Sequence, residues 1–328
     1  MREGAARPRT RGVRRGLCGV TVAIGIALAL GAWAAMASWN GLTGFGVAAV
    51  LRLLPVLAAL HLAQLLLAGI AWRALLATPR PPAAMLWRLR IVREGIDSLL
   101  PVAQMGGEVV GARLLARRIP AAAAAASVIV DLAVELLTQI AFLGAGLLAL
   151  IWLSGQAPQA RWLVVAGAAL AGLAGLLLAP RLGALRGIEA LLRGIARRTP
   201  ALAGASLDGL HDAALATWHR RRGLAAGIAL HIPAWALGSI ESWLVLRGLG
   251  HPVGALQAVV VESLGMAGRS AGFAIPAAIG VQEGGFVLAA AAVGIAAGPA
   301  LALSLVKRLR EVLVGLLGLG LWRLEAAR

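Results

Sequence analysis

Long apolar runs that alternate with clusters of arginine constrain this chain more than any other feature. A helix needs about 20 apolar residues to cross the hydrocarbon layer of a bilayer. The runs 17–37, 47–77, 121–153, 162–179 and 223–246 approach or exceed that length. Backbone groups inside lipid must be satisfied within their own segment, so such runs fold as helices. Basic groups lie between them: six arginines among residues 2–15, then Arg88, Arg90 and Arg93, then Arg113, Arg117 and Arg118, and eight arginines within 181–222. Only 14% of the residues are charged and 60% are hydrophobic. A soluble domain carries about 25% charged residues, so there is too little polar surface here to coat a water-facing globule. The net charge of +17 is read as cytoplasmic loop charge under the positive-inside rule, in reach of anionic headgroups. It is not read as a nucleic-acid surface. The expectation is a multi-pass protein of a bacterial-type inner membrane with a cytoplasmic N-terminus.

Residues 1–16 form a basic N-terminus. Ala35-Met36-Ala37 has the form of a signal-peptide cleavage site, but the length of the run before it favours an uncleaved first helix. The remainder, 17–322, reads as a single transmembrane domain with a tail at 323–328. Within it lie one half at 47–153, a cytoplasmic amphipathic linker at 181–222 and a second half at 223–322. Trp33, Trp39, Trp72, Trp152, Trp162, Trp243 and Trp322 stand near the ends of apolar runs and are expected to anchor at the interface.

Two segments are broken. The first, 95–115, contains Pro101 and Gly106-Gly107 and has basic clusters on both flanks, so a full crossing would put one cluster on the wrong side. It is expected to enter from the cytoplasm and return. The second, within 253–297, contains Pro276, Gly280 and Gly284-Gly285 and is expected to do the same from the outer side. Glu108 follows Pro101 by seven residues and Glu283 follows Pro276 by seven; Arg93 and Arg269 precede those prolines by eight and seven. Paired broken segments in two halves point to a transporter site, although Gly and Pro are common in membrane helices. The fold class expected is an all-α polytopic transmembrane bundle with two re-entrant segments in an inverted repeat.

A charge at the bilayer centre costs roughly 2.5–3.5 kcal/mol on the insertion scale and usually pairs or lines a wet cavity. Glu94, Asp97 and Glu108 fall in the first broken segment, and Asp131 and Glu135 share a face one turn apart. Glu241, Glu262, Arg269, Gln282 and Glu283 surround the second break, and Lys307, Arg308, Arg310 and Glu311 lie in the last helix. Two readings stay open: salt bridges that hold the broken segments, or a polar groove for a headgroup or a coupling proton. Substrate-pathway candidates are Arg93, Asp97, Glu108, Arg113, Asp131, Glu135, Arg269, Gln282, Glu283, Lys307, Arg308 and Glu311. The single Cys18 and five scattered histidines give no metal spacing, and P-loop, G-x-S-x-G and H-E-x-x-H motifs are missing. No cofactor or metal is expected.

The stretch Arg93-Glu94-Gly95-Ile96-Asp97-Ser98-Leu99-Leu100-Pro101 with Gly106-Gly107-Glu108 resembles the first hallmark of the lysylphosphatidylglycerol synthase transmembrane family, also described as flippase-like. Residues Ile275 to Gly285 resemble its second hallmark, with Pro276-Ala277-Ala278 in place of the commoner Pro-Gly-Gly. The Gln-Glu-Gly form, with Ser304 to Glu311 after it, looks most like the hopanoid-biosynthesis-associated branch. The resemblance implies a membrane protein that moves or handles lipids, hopanoid or phospholipid, with lipid-biosynthetic enzymes as further partners. It also implies no aminoacyl transfer, since the soluble transferase domain of bifunctional relatives has no counterpart here. A non-transporting scaffold and a membrane-embedded enzyme using Asp131 and Glu135 as acid and base remain as alternatives.

Overall fold

A computed structural model describes residues 47–77, 80–100, 106–155, 160–178, 209–272, 275 and 278–327. The expected first helix, most of the linker, Pro101 and Pro276 lie outside the described residues. The fold is all-α, with no strand among the described residues. Among the described residues ten helices run in order: α1 Val47–Leu75, α2 Ala83–Leu99, α3 Gly106–Leu115, α4 Ala121–Ser154, α5 Ala160–Leu178, α6 Leu210–Trp218, α7 Arg221–Gly248, α8 Ala255–Ala271, α9 Val281–Ala291 and α10 Ala297–Ala327. Stretches of α1, α4 and α7 are long and apolar enough to cross a membrane. The 31-residue α10 is as long, but Lys307, Arg308, Arg310 and Glu311 sit in its middle and are all buried.

The sequence reading started the first broken segment at residue 95 and placed Arg88, Arg90 and Arg93 in a loop before it. The structure corrects this. The helix begins at Ala83, directly after Pro82 at its N-cap, because Pro81-Pro82 cannot continue a preceding helix but suits the start of the next. Arg90 and Arg93 are therefore helical neighbours at i and i+3 on one face, and both are buried, while Arg88 points outward.

The element series repeats. A long helix, a 17-residue helix, a short helix and a second long helix make α1–α4, and the same series makes α7–α10, with 17 residues in both α2 and α8. The packing repeats as well. The two opening helices α1 and α7 pack on each other, α10 of the second series packs along α2 of the first, and α4 of the first packs along α8 of the second. Each short pair is thus clasped by the long helix of the other series. Both pairs also close on themselves. Arg88 and Arg117, from α2 and just after α3, converge on Glu325 near the end of α10, so the outer ends of that hairpin lie on one side of the molecule. Gln257, early in α8, donates to the Val293 carbonyl just after α9.

The crossing of α2 and α10 rests on glycine. A Cβ on Gly95 would stand 2.5 Å from the Gly315 carbonyl, and one on Gly318 would run into the Ile91 carbonyl. Lipid supplies no hydrophobic drive between helices, so close backbone approach through small residues carries the association. Gly318→Leu is expected to force the pair apart and cost about 1–3 kcal/mol or more. Detergent-solubilised protein should then lose its monodisperse gel-filtration peak at a lower temperature than wild type; an unchanged profile would contradict the crossing.

Outside this frame, α5 packs chiefly on α4 and leaves Leu163, Val164 and Leu170 exposed. Helix α6, within the expected cytoplasmic linker, buries Leu210 and Ala214 against Ala126 of α4.

A buried charged cavity as candidate functional site

Two groups of ionised side chains meet in the interior. The first is built by α2, α3 and α4. Arg90 donates to Asp131 at 2.6 Å and to Glu135 at 3.0 Å. Arg93 donates to Asp131 at 3.1 Å and pairs with Glu108. Asp131 and Glu135 sit one turn apart on α4, so a single guanidinium spans both. Asp97 accepts the Gly107 amide at 2.8 Å, which ties the end of α2 to the start of α3 across the break. Gly107 has no room for a side chain, since a Cβ there would press on the Arg93 backbone and the Asp97 carboxylate. From α7, His231 approaches Asp131 at 3.7 Å.

Trp72 completes this group and corrects an expectation. It was expected to anchor in lipid, but it is fully buried. Its indole donates to Ser127 at 3.0 Å, and the Arg93 guanidinium lies over its ring at 5.0 Å. A delocalised cation that has left water gains from an aromatic face, so the interior position follows from the charge beside it. Trp243 is likewise occupied, donating to the Val253 carbonyl with Arg247 over its ring. Trp152 is 81% exposed, as an anchor requires.

The second group is built by α7, α8, α9 and α10. Glu241 receives Arg310 at 2.8 Å and Lys307 at 3.1 Å. Lys307 also reaches Glu262 at 3.0 Å, and Ser242 donates to Glu262 at 2.5 Å. Arg269 donates to Glu311 at 2.6 Å and to Gln282 at 2.8 Å. Glu283 accepts Arg308 at 2.7 Å and, reaching back from the first turn of α9, the Gly280 amide at 2.6 Å. Gly280 has φ +83°, a conformation glycine adopts without penalty, and it turns the chain into α9. His61 of α1 lies 3.4 Å from Glu94 of α2.

The two series place charge at equal positions with the sign often reversed. The eighth residue is Arg90 in α2 and Glu262 in α8. The eleventh is Asp131 in α4 and Lys307 in α10. The pair Arg90–Asp131 therefore has Glu262–Lys307 as its counterpart, with the polarity inverted. The fifteenth residues are Asp97 and Arg269 in α2 and α8, and Glu135 and Glu311 in α4 and α10. Arg269–Glu311 is thus an ion pair where the first series sets two carboxylates. Glu108 and Glu283 are each third in α3 and α9.

Both groups face one cavity of about 280 Å³. Its lining includes Arg90, Arg93, Glu94, Asp97, Glu108 and Glu135 from the first series, and Glu262, Arg269, Lys307, Arg310 and Glu311 from the second. Trp235, Gln139, Met266 and Ser270 complete one side. That side is the open one: the Glu135 side chain is 34% exposed against 7% for Arg90, and Ser270 is exposed. Gln139 bridges α4 to α8 there by donating to Ser270 at 2.6 Å, while Trp235 stacks on Phe142 and donates to Thr138. Taken together, nine carboxylates (Glu94, Asp97, Glu108, Asp131, Glu135, Glu241, Glu262, Glu283 and Glu311) stand against six cations (Arg90, Arg93, Arg269, Lys307, Arg308 and Arg310). Nine of the 14 acidic residues of the chain are therefore here.

Of the sequence candidates, Arg93, Asp97, Glu108, Glu135, Arg269, Lys307 and Glu311 line the cavity. Asp131 and Gln282 touch residues that line it, whereas Arg308 and Glu283 pair with each other beside it. Arg113 is exposed near the end of α3 and does not line the cavity. Gly106, Gly284 and Gly285 fall in the first turns of α3 and α9, where Gly285 meets Gly268 of α8 at contact distance. Sequence reasoning missed Arg90, His61, His231, Trp235 and Gln139. The available signal for Arg90 was its i, i+3 spacing from Arg93; for the histidines it was their position inside α1 and α7, far from any basic loop. Among the described residues no group of three His, Cys, Asp or Glu is arranged to hold a metal ion.

The family model described as Lysylphosphatidylglycerol synthase TM region matches residues 20–318. Neither a curated protein nor a solved structure matches the chain.

Proposed function

The chain belongs to the lysylphosphatidylglycerol synthase TM region family, and on that premise we propose that it is a flippase-like lipid transporter whose charged cavity receives the polar head of an amphiphile. One observation supports this reading most: an open cavity of about 280 Å³, lined by both signs of charge, lies inside a bundle that exposes many large apolar side chains. Ionised groups inside a membrane line substrate pathways or pair with one another; here they pair and line a cavity. The six carboxylates in the lining, Glu94, Asp97, Glu108, Glu135, Glu262 and Glu311, suit a head that brings hydroxyl or ammonium donors, as the head of a polar hopanoid or an amino-bearing phospholipid does. The acyl or ring portion stays in lipid beside Trp235, Gln139 and Ser270, where the cavity is exposed. Dense pairing, as at Arg269–Glu311 and Lys307–Glu262, supports a scaffold for lipid-biosynthetic enzymes as the second reading.

In this reading the protein sits in a bacterial inner membrane with a cytoplasmic N-terminus. The α2–α3 and α8–α9 hairpins re-enter from opposite sides, as an inverted repeat would have them. Lipid analysis of each leaflet in a deletion strain tests the function. One polar lipid is expected to accumulate in the leaflet where it is made and to be redistributed by the wild-type gene. Identical leaflets with and without the gene would favour the scaffold.

Topology has its own test. Arg88→Cys and Arg113→Cys are expected to react with an impermeant thiol reagent from the same side of the membrane. Arg90 does not serve here because it is buried. Labelling from opposite sides would eliminate the first re-entrant hairpin.

A further inference from the structure

A second concavity, of about 610 Å³, lies away from the charged cavity, between the C-terminus of α1 and the N-terminus of α7. Arg80, His219, Arg220, Arg221 and Arg222 line it, and among the described residues no carboxylate does. This is the opposite of the interior, where carboxylates outnumber cations. The position is set by packing. Gly223 lets α7 approach α1 so closely that a Cβ there would stand 2.7 Å from the Ala74 carbonyl. Arg220 donates to the Leu75 carbonyl at 3.2 Å and Arg80 to the Leu76 carbonyl at 2.9 Å. Each uses one N–H on a backbone carbonyl at the end of α1, and the rest of each guanidinium remains to bind something else.

The electrostatics are one-sided. The N-terminus of a helix carries partial positive charge and favours anions. Helix α7 has no acidic residue in its first turn and no side-chain hydrogen bond at its N-cap; three successive arginines stand there instead. Guanidiniums gathered at a positive helix end repel it and one another unless an anion joins them. Arginine forks match phosphate geometry, and basic pockets between membrane helices take anionic headgroups. The depth identifies the source of the phosphate. The apolar span of α1 ends at Leu75 and that of α7 begins at Arg221, so the pocket sits where two spans leave the hydrocarbon, at headgroup level.

We propose that this pocket binds the phosphate of an anionic membrane phospholipid. It is separate from the transport cavity and holds whether or not that cavity carries lipid. The bound lipid joins the end of α1 to the start of α7, the opening helices of the two series.

Native mass spectrometry of the full-length protein, released from neutral detergent after exposure to equal phosphatidylglycerol and phosphatidylcholine, tests the proposal. One phosphatidylglycerol is expected to be retained in preference to phosphatidylcholine. Arg221→Gln with Arg222→Gln is expected to weaken that retention about thirtyfold, since each near-surface arginine contributes about a factor of five. Both side chains are exposed, so the fold should persist. Arg221→Lys with Arg222→Lys should retain most of the binding. Arg117→Gln with Arg118→Gln removes two exposed arginines elsewhere and should change little. Equal loss in that control would reduce the effect to general basicity and overturn the site. Full displacement of the lipid by millimolar inorganic phosphate would reassign the pocket to a soluble anion and overturn it too. So would equal retention of the two lipids by wild type.

Discussion

Asp131→Asn is expected to lower stability by about 3–5 kcal/mol, the cost of leaving buried cations without their partner. Asp131 has no exposed surface, and its carboxylate holds Arg90 and Arg93 together at 2.6 and 3.1 Å. Arg93 keeps Glu108 and Arg90 keeps Glu135, but an amide oxygen cannot neutralise the two guanidiniums that converge on one point. The shape of the residue is unchanged, so the loss is electrostatic. A second substitution separates charge from packing. Arg90→Met added to Asp131→Asn should recover part of the loss, because removing both ends of a buried pair is far milder than removing one. Thermal unfolding in detergent, followed by tryptophan fluorescence, reads both effects. A single mutant within about 1 kcal/mol of wild type would show that water reaches Arg90 and Arg93 freely, and the interior described here would be wrong.

Glu135→Gln is expected to do the reverse: leave the fold in place and remove activity. Glu135 shares Arg90 with Asp131 and stands one turn away, yet its side chain is 34% exposed. The pair is half-buried and Arg90 keeps Asp131, so the cost should stay near the upper end of the roughly 0–1 kcal/mol of exposed pairs and thermal unfolding should move far less than in Asp131→Asn. If the polar head enters beside Gln139 and Ser270, Glu135 is the first carboxylate it meets. Losing a charge-assisted hydrogen bond of roughly 1.5–3 kcal/mol should slow lipid redistribution by about ten- to a hundredfold. The readout is complementation of leaflet composition in the deletion strain at matched protein abundance. Full complementation would exclude entry past Glu135. The two variants differ by one helical turn and share one cation, which makes their contrast a measure of where the cavity opens.

The all-α membrane class was legible because lipid imposes it: apolar runs of this length have no other way to satisfy their backbone. The pairing of Glu108 with Glu283 was legible from spacing alone, since both follow a proline by seven residues, and both occupy the third position of a short helix. Arg90 was misplaced because counting basic residues by loop cannot distinguish a loop arginine from one turned inward, and only the start of α2 at Ala83 settles which it is. Trp72 was misplaced for a related reason. Its nearness to a run's end suits an interface anchor, whereas its position follows from Arg93 and Ser127, which are remote from it in sequence. The sign reversal between the series was hidden as well. Arg90 and Glu262 look unrelated until the first residues of α2 and α8 are known, and no local pattern gives those to the residue.

The clasp of α2 by α10 has a consequence for how the chain is made. Helix α2 leaves the ribosome carrying Arg90 and Arg93 well before α10, the helix that covers it. Translating the residues from the end of α4 at 154 to the start of α10 at 297 takes roughly 7–30 s at 5–20 residues per second. For that interval the first series is a charged, half-covered hairpin in the membrane. Its glycine face at Gly95 lacks the partner that Gly315 and Gly318 will supply. An insertase or chaperone that shields it, or a membrane protease that finds it first, then decides the yield of finished protein. Severing the gene between the two series should therefore make the first product short-lived unless the second is produced alongside it.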